Sequence, residues 1–215
     1  MYSTTRMQSN GAQGRKQVKS ALVRGDGPFP NNDLLPLLLY EGVFAGGETP
    51  AGEKSPAHGA VQSQTGETSD PGRPRPRPAS LASAIEDRFR AHGWGNSWRD
   101  GVYGTHHYHS EAHEALGVYA GRARVQFGGE RGPVFEVRAG DALVIPAGVA
   151  HKRLDSSGDF GVVGAYPPGQ SPDMCYGVKG ERPASDERIA RVSGPQTDPV
   201  FGGDGPLLEL WGGKS

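Results

Sequence analysis

The sequence predicts an all-β fold, a single antiparallel barrel or sandwich with one short helix outside it. Three observations lead there. Thirty-four of the 215 residues are Gly and 18 are Pro, about twice the usual share, which interrupts helices repeatedly and supplies tight turns. From Trp94 to Pro167 the chain reads as eight short alternating or β-branched runs punctuated by Gly: WGNSWRDGVY, HHYHS, EALGVYAG, RARVQFGG, PVFEVRAG, DALVIPAG, HKRLD and FGVVGAYP. These runs show no internal repeat, so one barrel is expected and not a tandem pair.

In chain order, residues 1–16 are expected to form a flexible tail. The first 25 residues carry Arg6, Arg15, Lys16, Lys19 and Arg24 without an acid. A mitochondrial presequence is the weaker reading, and no apolar run marks a secretory signal. A single domain then occupies residues 17–215, interrupted by a low-complexity insert at 45–79. That insert holds six Gly, six Pro and one larger aliphatic, Val61, too little apolar surface to offset its ordering entropy. It ends in Arg73-Pro-Arg-Pro-Arg-Pro78, which favours an extended polyproline conformation and reads as a solvated linker or a docking peptide. A helix follows over residues 80–92, with Ser83 and Glu86 spaced as a capping box, Leu81, Ile85 and Phe89 on one face, and Gly93 as its stop. Beyond the eight strands, the segment after Tyr176 is expected to pack outside the barrel with Trp211 as an anchor. Its GGDGP stretch is read as a turn because no helix with phosphate-loop spacing follows.

Composition removes several function classes. Lys and Arg number 23 and Asp and Glu 24, a formal net charge of −1, so nucleic acid is not the expected partner. No apolar run approaches a membrane span; the longest, around Leu34–Phe44, is broken by Pro36 and Glu41. Cys175 is the only cysteine. It allows no internal disulfide, has no partner motif, and points to a reducing compartment, the cytoplasm. Leu, Ile, Val and Phe make up 39 of 215 residues, a disorder-like share, but 38 of 164 once residues 1–16 and 45–79 are set aside.

Five of the seven histidines lie between positions 106 and 151. On a strand, residues two apart share a face, so His107 and His109 project together. Glu114 opens the next strand and shares its alternation with Leu116, Val118 and Ala120. His151 starts another strand after the Pro146–Gly148 turn. Three imidazoles and a carboxylate converging inside a barrel could hold a divalent metal with positions left open; an exposed cluster that binds nothing explains the local count equally well. His106 has the opposite parity and His113 sits in a turn, so neither is expected to be a ligand. Arg153 shares the parity of His151 and is a candidate for meeting an anionic substrate group, or for a pairing at the barrel rim. Tyr166 is a second catalytic candidate, and Tyr119, Trp94 and Trp98 join it as candidates for a pocket mouth or for aromatic packing.

The spacing Gly101-x5-His107-x-His109-x4-Glu114-x6-Gly121, followed by Gly140-x5-Pro146-x-Gly148-x2-His151-x3-Asp155, resembles the two sequence motifs of the cupin superfamily. It departs only at Asp155, where Asn is usual and where no metal ligand is expected. The stretches FPNNDLLPLLLYEGVF, HGWGNSWRDGVYGTHHYHSEAHEALGVYAG, VVGAYPPG and YGVKGERPASDERI are more closely similar to the YjlB-like group of small single-domain cupins, over residues 17–44 and 80–215. The resemblance implies a cupin-type barrel (double-stranded β-helix, or jelly roll) with His107, His109, Glu114 and His151 holding one divalent metal ion, Fe, Mn, Ni or Zn. It also makes a homodimer paired through barrel faces an expectation. The group carries no assigned reaction and its pattern has no counterpart of the 45–79 insert. The function that follows is a metal-binding cupin acting on a small molecule, an oxygenase or isomerase. The alternative is a non-catalytic module that binds metal or a small ligand. A metal-free epimerase-like cupin is less attractive, because all four ligands are present and no separate acid–base pair can be placed.

Overall fold

The computed structural model of the chain describes residues 4–7, 18–45 and 80–212. Apart from Thr4–Met7 and Ala45, the expected tail and insert lie outside the described residues. Ten strands and three helices follow in order: β1 (Thr4–Met7), β2 (Val18–Val23), β3 (Asn32–Tyr40), α1 (Leu81–Ala91), β4 (Gly95–Asp100), β5 (Glu114–Ala120), β6 (Arg122–Phe127), β7 (Val134–Arg138), β8 (Ala142–Ile145), β9 (His151–Ser156), β10 (Gly161–Tyr166), α2 (Ala184–Ile189) and α3 (Pro206–Trp211). Inside the expected tail, the Thr4–Met7 backbone pairs antiparallel with Val18–Ala21.

The strands form two antiparallel sheets that face each other as a jelly-roll barrel. The larger has the order β1-β2-β3-β8-β5-β10-β4 and the smaller β7-β6-β9. Alternation decides what each face meets. Leu37, Leu39, Leu116, Val118, Leu143, Ile145 and Val162 point from the larger sheet toward Ala123, Val125, Phe127 and Val137 of the smaller one, which makes the barrel core. The opposite face of the larger sheet carries Leu38, Tyr40, Ala115, Val144, Val163 and Ala165, covered by Ile85 and Phe89 of α1 and Leu207 and Trp211 of α3. Burial on both faces explains why β8 and β10 read as continuous apolar runs.

Seven of the eight expected runs between Trp94 and Pro167 are strands. The exception is HHYHS, whose backbone makes only isolated bridges, His107 to His151 and Tyr108 to Cys175. Helix α1 occupies the expected position with a corrected cap: Ser80 is the N-cap and its Oγ accepts from Ser83 N at 3.3 Å. Glu86, expected in the capping box, instead takes a bidentate contact from Arg99 at 2.7 and 2.6 Å. At the other end Gly93 N donates to Arg90 O and Trp94 N to Phe89 O, with Gly93 left-handed at φ +81°, a Schellman stop.

The C-terminal segment packs outside the barrel as expected. Trp211 Nε1 donates to Pro36 O at 2.9 Å. GGDGP forms a turn as expected, and the six-residue α3, with Pro206 at its start, follows it.

Helix α1 approaches the sheet over Gly117. A Cβ there would lie 2.4 Å from Ile85 Cγ2, a branch close to the helix backbone that cannot swing aside. Gly117→Ala therefore displaces α1 and lowers stability by about 1–3 kcal/mol in urea unfolding, with little change in the slope.

Candidate metal centre

The barrel interior at one end is a cavity of about 330 Å³ whose floor is His107, His109, Glu114 and His151. Each side chain arrives from a different constraint. The reciprocal bridge between His107 and His151, with N–O distances of 3.2 and 2.9 Å, sets their rings 4.2 Å apart. Gly148 N donates to His109 O at 2.8 Å, so the Pro146–Gly148 turn holds the His109 backbone. Gly148 is left-handed at φ +89°, and a Cβ on it would come within 2.4 Å of Asn31 O. Glu114 opens β5 opposite Ile145 and shares the inward face with Leu116 and Val118.

The three rings share one hydrogen-bond logic. His107 Nδ1 lies 3.1 Å from Thr105 O, His109 Nδ1 2.5 Å from Asp173 O, and His151 Nδ1 3.1 Å from Val149 O. A backbone carbonyl only accepts, so each Nδ1 carries a proton and each ring turns its Nε2 edge inward. His109 Nε2 stands 3.5 Å from Glu114 Oε1 and His151 Nε2 3.4 Å from Glu114 Oε2. Among the described residues, Oε2 is buried without a hydrogen-bond partner. Two ring edges and a carboxylate this close require a proton or a metal ion between them. Ligands about 2.1 Å from a shared ion and about 90–110° apart lie about 3.0–3.4 Å from each other, which the two contacts to Glu114 approach. The nitrogens of His107, His109 and His151 all lie within 4.8 Å of one another. The residues present therefore fit a divalent metal ion.

Charge equilibria without a metal differ from ring to ring. Burial, with the neighbouring His151, pushes His107 down to about 3 and keeps it neutral. Burial opposes charge on His109 too, but the Glu114 carboxylate and the Asp173 carbonyl outweigh it and raise its pKa. Burial alone would raise Glu114; the flanking His109 and His151 overcome it and hold the carboxyl well below its ordinary range.

A second layer holds Glu114. Tyr166 Oη donates to Glu114 Oε1 at 3.1 Å and accepts from Trp98 Nε1 at 2.8 Å. Trp98 can lie there because residue 164 is glycine: a Cβ at Gly164 would come within 2.1 Å of the indole. Burial and the adjacent Glu114 charge raise the Tyr166 phenol, so it stays a donor. Tyr166→Phe leaves Glu114 Oε1 and Trp98 Nε1 without this partner. Metal affinity, measured by chelator competition, is expected to fall about 10–100-fold while the fold persists.

Several candidates land elsewhere. Arg153 has the parity of His151, yet it does not line the cavity; its Nη1 donates to Ser156 Oγ at 2.9 Å. Trp94 is wholly buried under α1, with Nε1 donating to Thr197 O, and Tyr119 packs against the same outer core. His106 is not outward-facing but buried against Phe29, while His113 accepts from Ala147 N and stacks on Trp211. Cys175 is a buried free thiol that donates to Asp173. The orienting carbonyls of Thr105, Val149 and Asp173 escape a reading of the sequence, because a backbone acceptor leaves no mark on side-chain spacing. Asp173 is the most elaborate of them: its side chain also accepts from Ser110 N, Ser110 Oγ and Glu111 N, fixing the turn that carries His109.

A cupin domain profile matches residues 99–157 of the chain. Over 196 residues it is 49% identical to the uncharacterized protein YjlB of Bacillus subtilis, covering 91% of this chain and 98% of that one. The chain belongs to the YjlB-like cupins. Solved structures with distant likeness include a DUF861 family protein from Thermotoga maritima, 23% identical, covering 34% of this chain and 75% of that one, with a TM-score of 0.25. Another is an acireductone dioxygenase from Bacillus anthracis with a cadmium ion in its active centre, 15% identical, covering 45% and 59%, with a TM-score of 0.29. Family membership follows from the Bacillus relative and the cupin match. In this YjlB-like cupin the buried histidine cluster is of metal-binding type, set in a cavity sized for a small molecule. No helix among the described residues is long and apolar enough to cross a membrane.

Proposed function

We propose that His107, His109, Glu114 and His151 hold one divalent metal ion, Fe, Mn, Ni or Zn, and that the chain is an enzyme acting on a small molecule there. The observation that supports this reading most is the orientation of the rings: three backbone carbonyls hold the Nδ1 atoms of three clustered imidazoles, and two of those rings, His109 and His151, face the buried Glu114 carboxylate. When bound, the ion supplies an electrophilic centre with positions open to substrate, and to dioxygen if the ion is iron. The protein's own groups bind and orient. Tyr166 and Trp98 hold Glu114 in place, Val102 and Leu116 exclude water from the floor, and Tyr103 and Met174 border the opening. Tyr166 is the candidate for holding a proton near substrate, since its phenol lines the cavity and remains protonated. Arg153 drops out of that role, with its guanidinium tied to Ser156. The single cysteine, a free thiol, fits a reducing cytoplasm.

The test is turnover by metal-loaded protein. Preparations containing Fe, Mn, Ni or Zn are assayed for oxygen consumption and for isomerisation across small hydroxy acids, thiols, enediols and amino alcohols. Oxygenase chemistry gives substrate-dependent oxygen uptake with iron, and isomerase chemistry a substrate rearrangement without it. Metal-loaded protein that turns over none of them would favour the non-catalytic binding module.

A further inference from the structure

We infer that the cavity selects small molecules that carry a positively charged nitrogen beside a metal-coordinating group; the second half of this statement rests on the proposed metal centre. Most polar groups of the cavity wall are already committed. The Glu114 oxygens face His109, His151 and Tyr166, the Tyr166 hydroxyl is shared between Glu114 and Trp98, and the three Nδ1 atoms are spent on carbonyls. The charged groups remaining at the mouth are Arg99 and Asp100, neighbours on β4.

Register sends those two in opposite directions. Arg99 lies opposite Val163, whose side chain packs in the outer core under α1. Its guanidinium is there too, bound to Glu86 and Ser83 of the helix. Asp100 lies opposite Val162, which points into the barrel core, and so shares the inward face with Trp98. Asp100 Oδ1 accepts from Gly101 N at 2.7 Å. Among the described residues no Lys, Arg or His pairs with its carboxylate. Arg153, the other arginine near the opening, is turned to Ser156. A ligand entering this cavity therefore meets one uncompensated carboxylate and the rings of Trp98 and Tyr103, with no free cationic side chain to receive an anion. A carboxylate beside aromatic faces favours an ammonium or guanidinium group by Coulomb attraction and cation–π contact together.

Catechol, dopamine and 3,4-dihydroxybenzoate test this, because they share the same chelating oxygens and differ in charge at the far end. Dissociation constants are measured by ligand-observed NMR on zinc-treated and on chelator-stripped protein, with zinc content determined on the same samples. Dopamine is expected to bind about tenfold more tightly than 3,4-dihydroxybenzoate in both forms. Asp100→Asn keeps the acceptor for Gly101 N, is expected to leave zinc content unchanged, and abolishes the preference. Equal or tighter binding of 3,4-dihydroxybenzoate, a preference that survives in Asp100→Asn, or no binding of dopamine to either form overturns the inference. Zinc uptake with all three compounds bound alike overturns it while sparing the metal centre. An Asp100-dependent preference in protein that takes up no zinc does the reverse.

Discussion

Asp198→Ala is expected to destabilise the protein by about 4 kcal/mol, well beyond the usual cost of a single substitution. Asp198 is fully buried. Its Oδ1 accepts from Val200 N and Phe201 N at 2.8 and 3.0 Å, and its Oδ2 from the Tyr40 hydroxyl and Leu207 N at 2.8 and 3.1 Å. One carboxylate thus ties the 198–202 turn to the start of α3 and to the end of β3. Alanine strands four interior donors at once, each costing about 1–3 kcal/mol when unpaired, with relaxation and water entry reducing the sum. Asp198→Asn separates the two halves of the network. It keeps Oδ1 for the turn amides but sets an amide donor against Leu207 N, so about half the loss is expected. Urea unfolding at neutral pH measures both. A loss below about 1 kcal/mol for the alanine variant would contradict this role.

The second large effect is on metal binding. Glu114→Gln keeps the shape of the side chain and its bond from Tyr166, but removes the charge and sets an NH2 at the Oε2 position toward His151 Nε2. Metal affinity is expected to fall at least about 100-fold, because the set loses its anionic ligand. The metal-free variant is expected to melt below metal-free wild type at neutral pH, since the Glu114 charge that raises the His109 pKa and pairs with it is gone. Differential scanning calorimetry with and without chelator reads both results. A variant that keeps both its metal and its metal-free stability would contradict this role of Glu114.

How much of the fold and site is legible in the sequence depends on whether side chains or backbone carry the information. Strands β4 to β10 follow from short alternating or apolar runs between glycines, and the inward set His107, His109, Glu114 and His151 from parity and spacing. Parity also places Arg153 on the right face, but not where its guanidinium ends, which a hydrogen bond to Ser156 decides. The HHYHS run fails as a strand because its neighbours across the gap, His151 and Cys175, come from separate segments and supply only isolated bridges. Strand β3 is obscured by Pro36 inside an apolar run. The sheet tolerates that proline because the pairing with β2 shifts register between Ala21 and Val23, so no ladder bond from residue 36 is needed. Helices α2 and α3, six residues each, are too short for a periodic signal. The cap of α1 falls to Ser80, since Glu86 is better satisfied by Arg99 than by its own helix terminus.

Metal stoichiometry tests most directly whether three imidazoles and one carboxylate form a cation site. Protein purified without chelator and without nickel affinity resin is analysed for elemental content beside His107→Ala. Such a site predicts close to one divalent ion per chain in the wild type and a loss to below about 0.2 in the variant. Wild-type protein below about 0.2 per chain, or undiminished metal in His107→Ala, would contradict it.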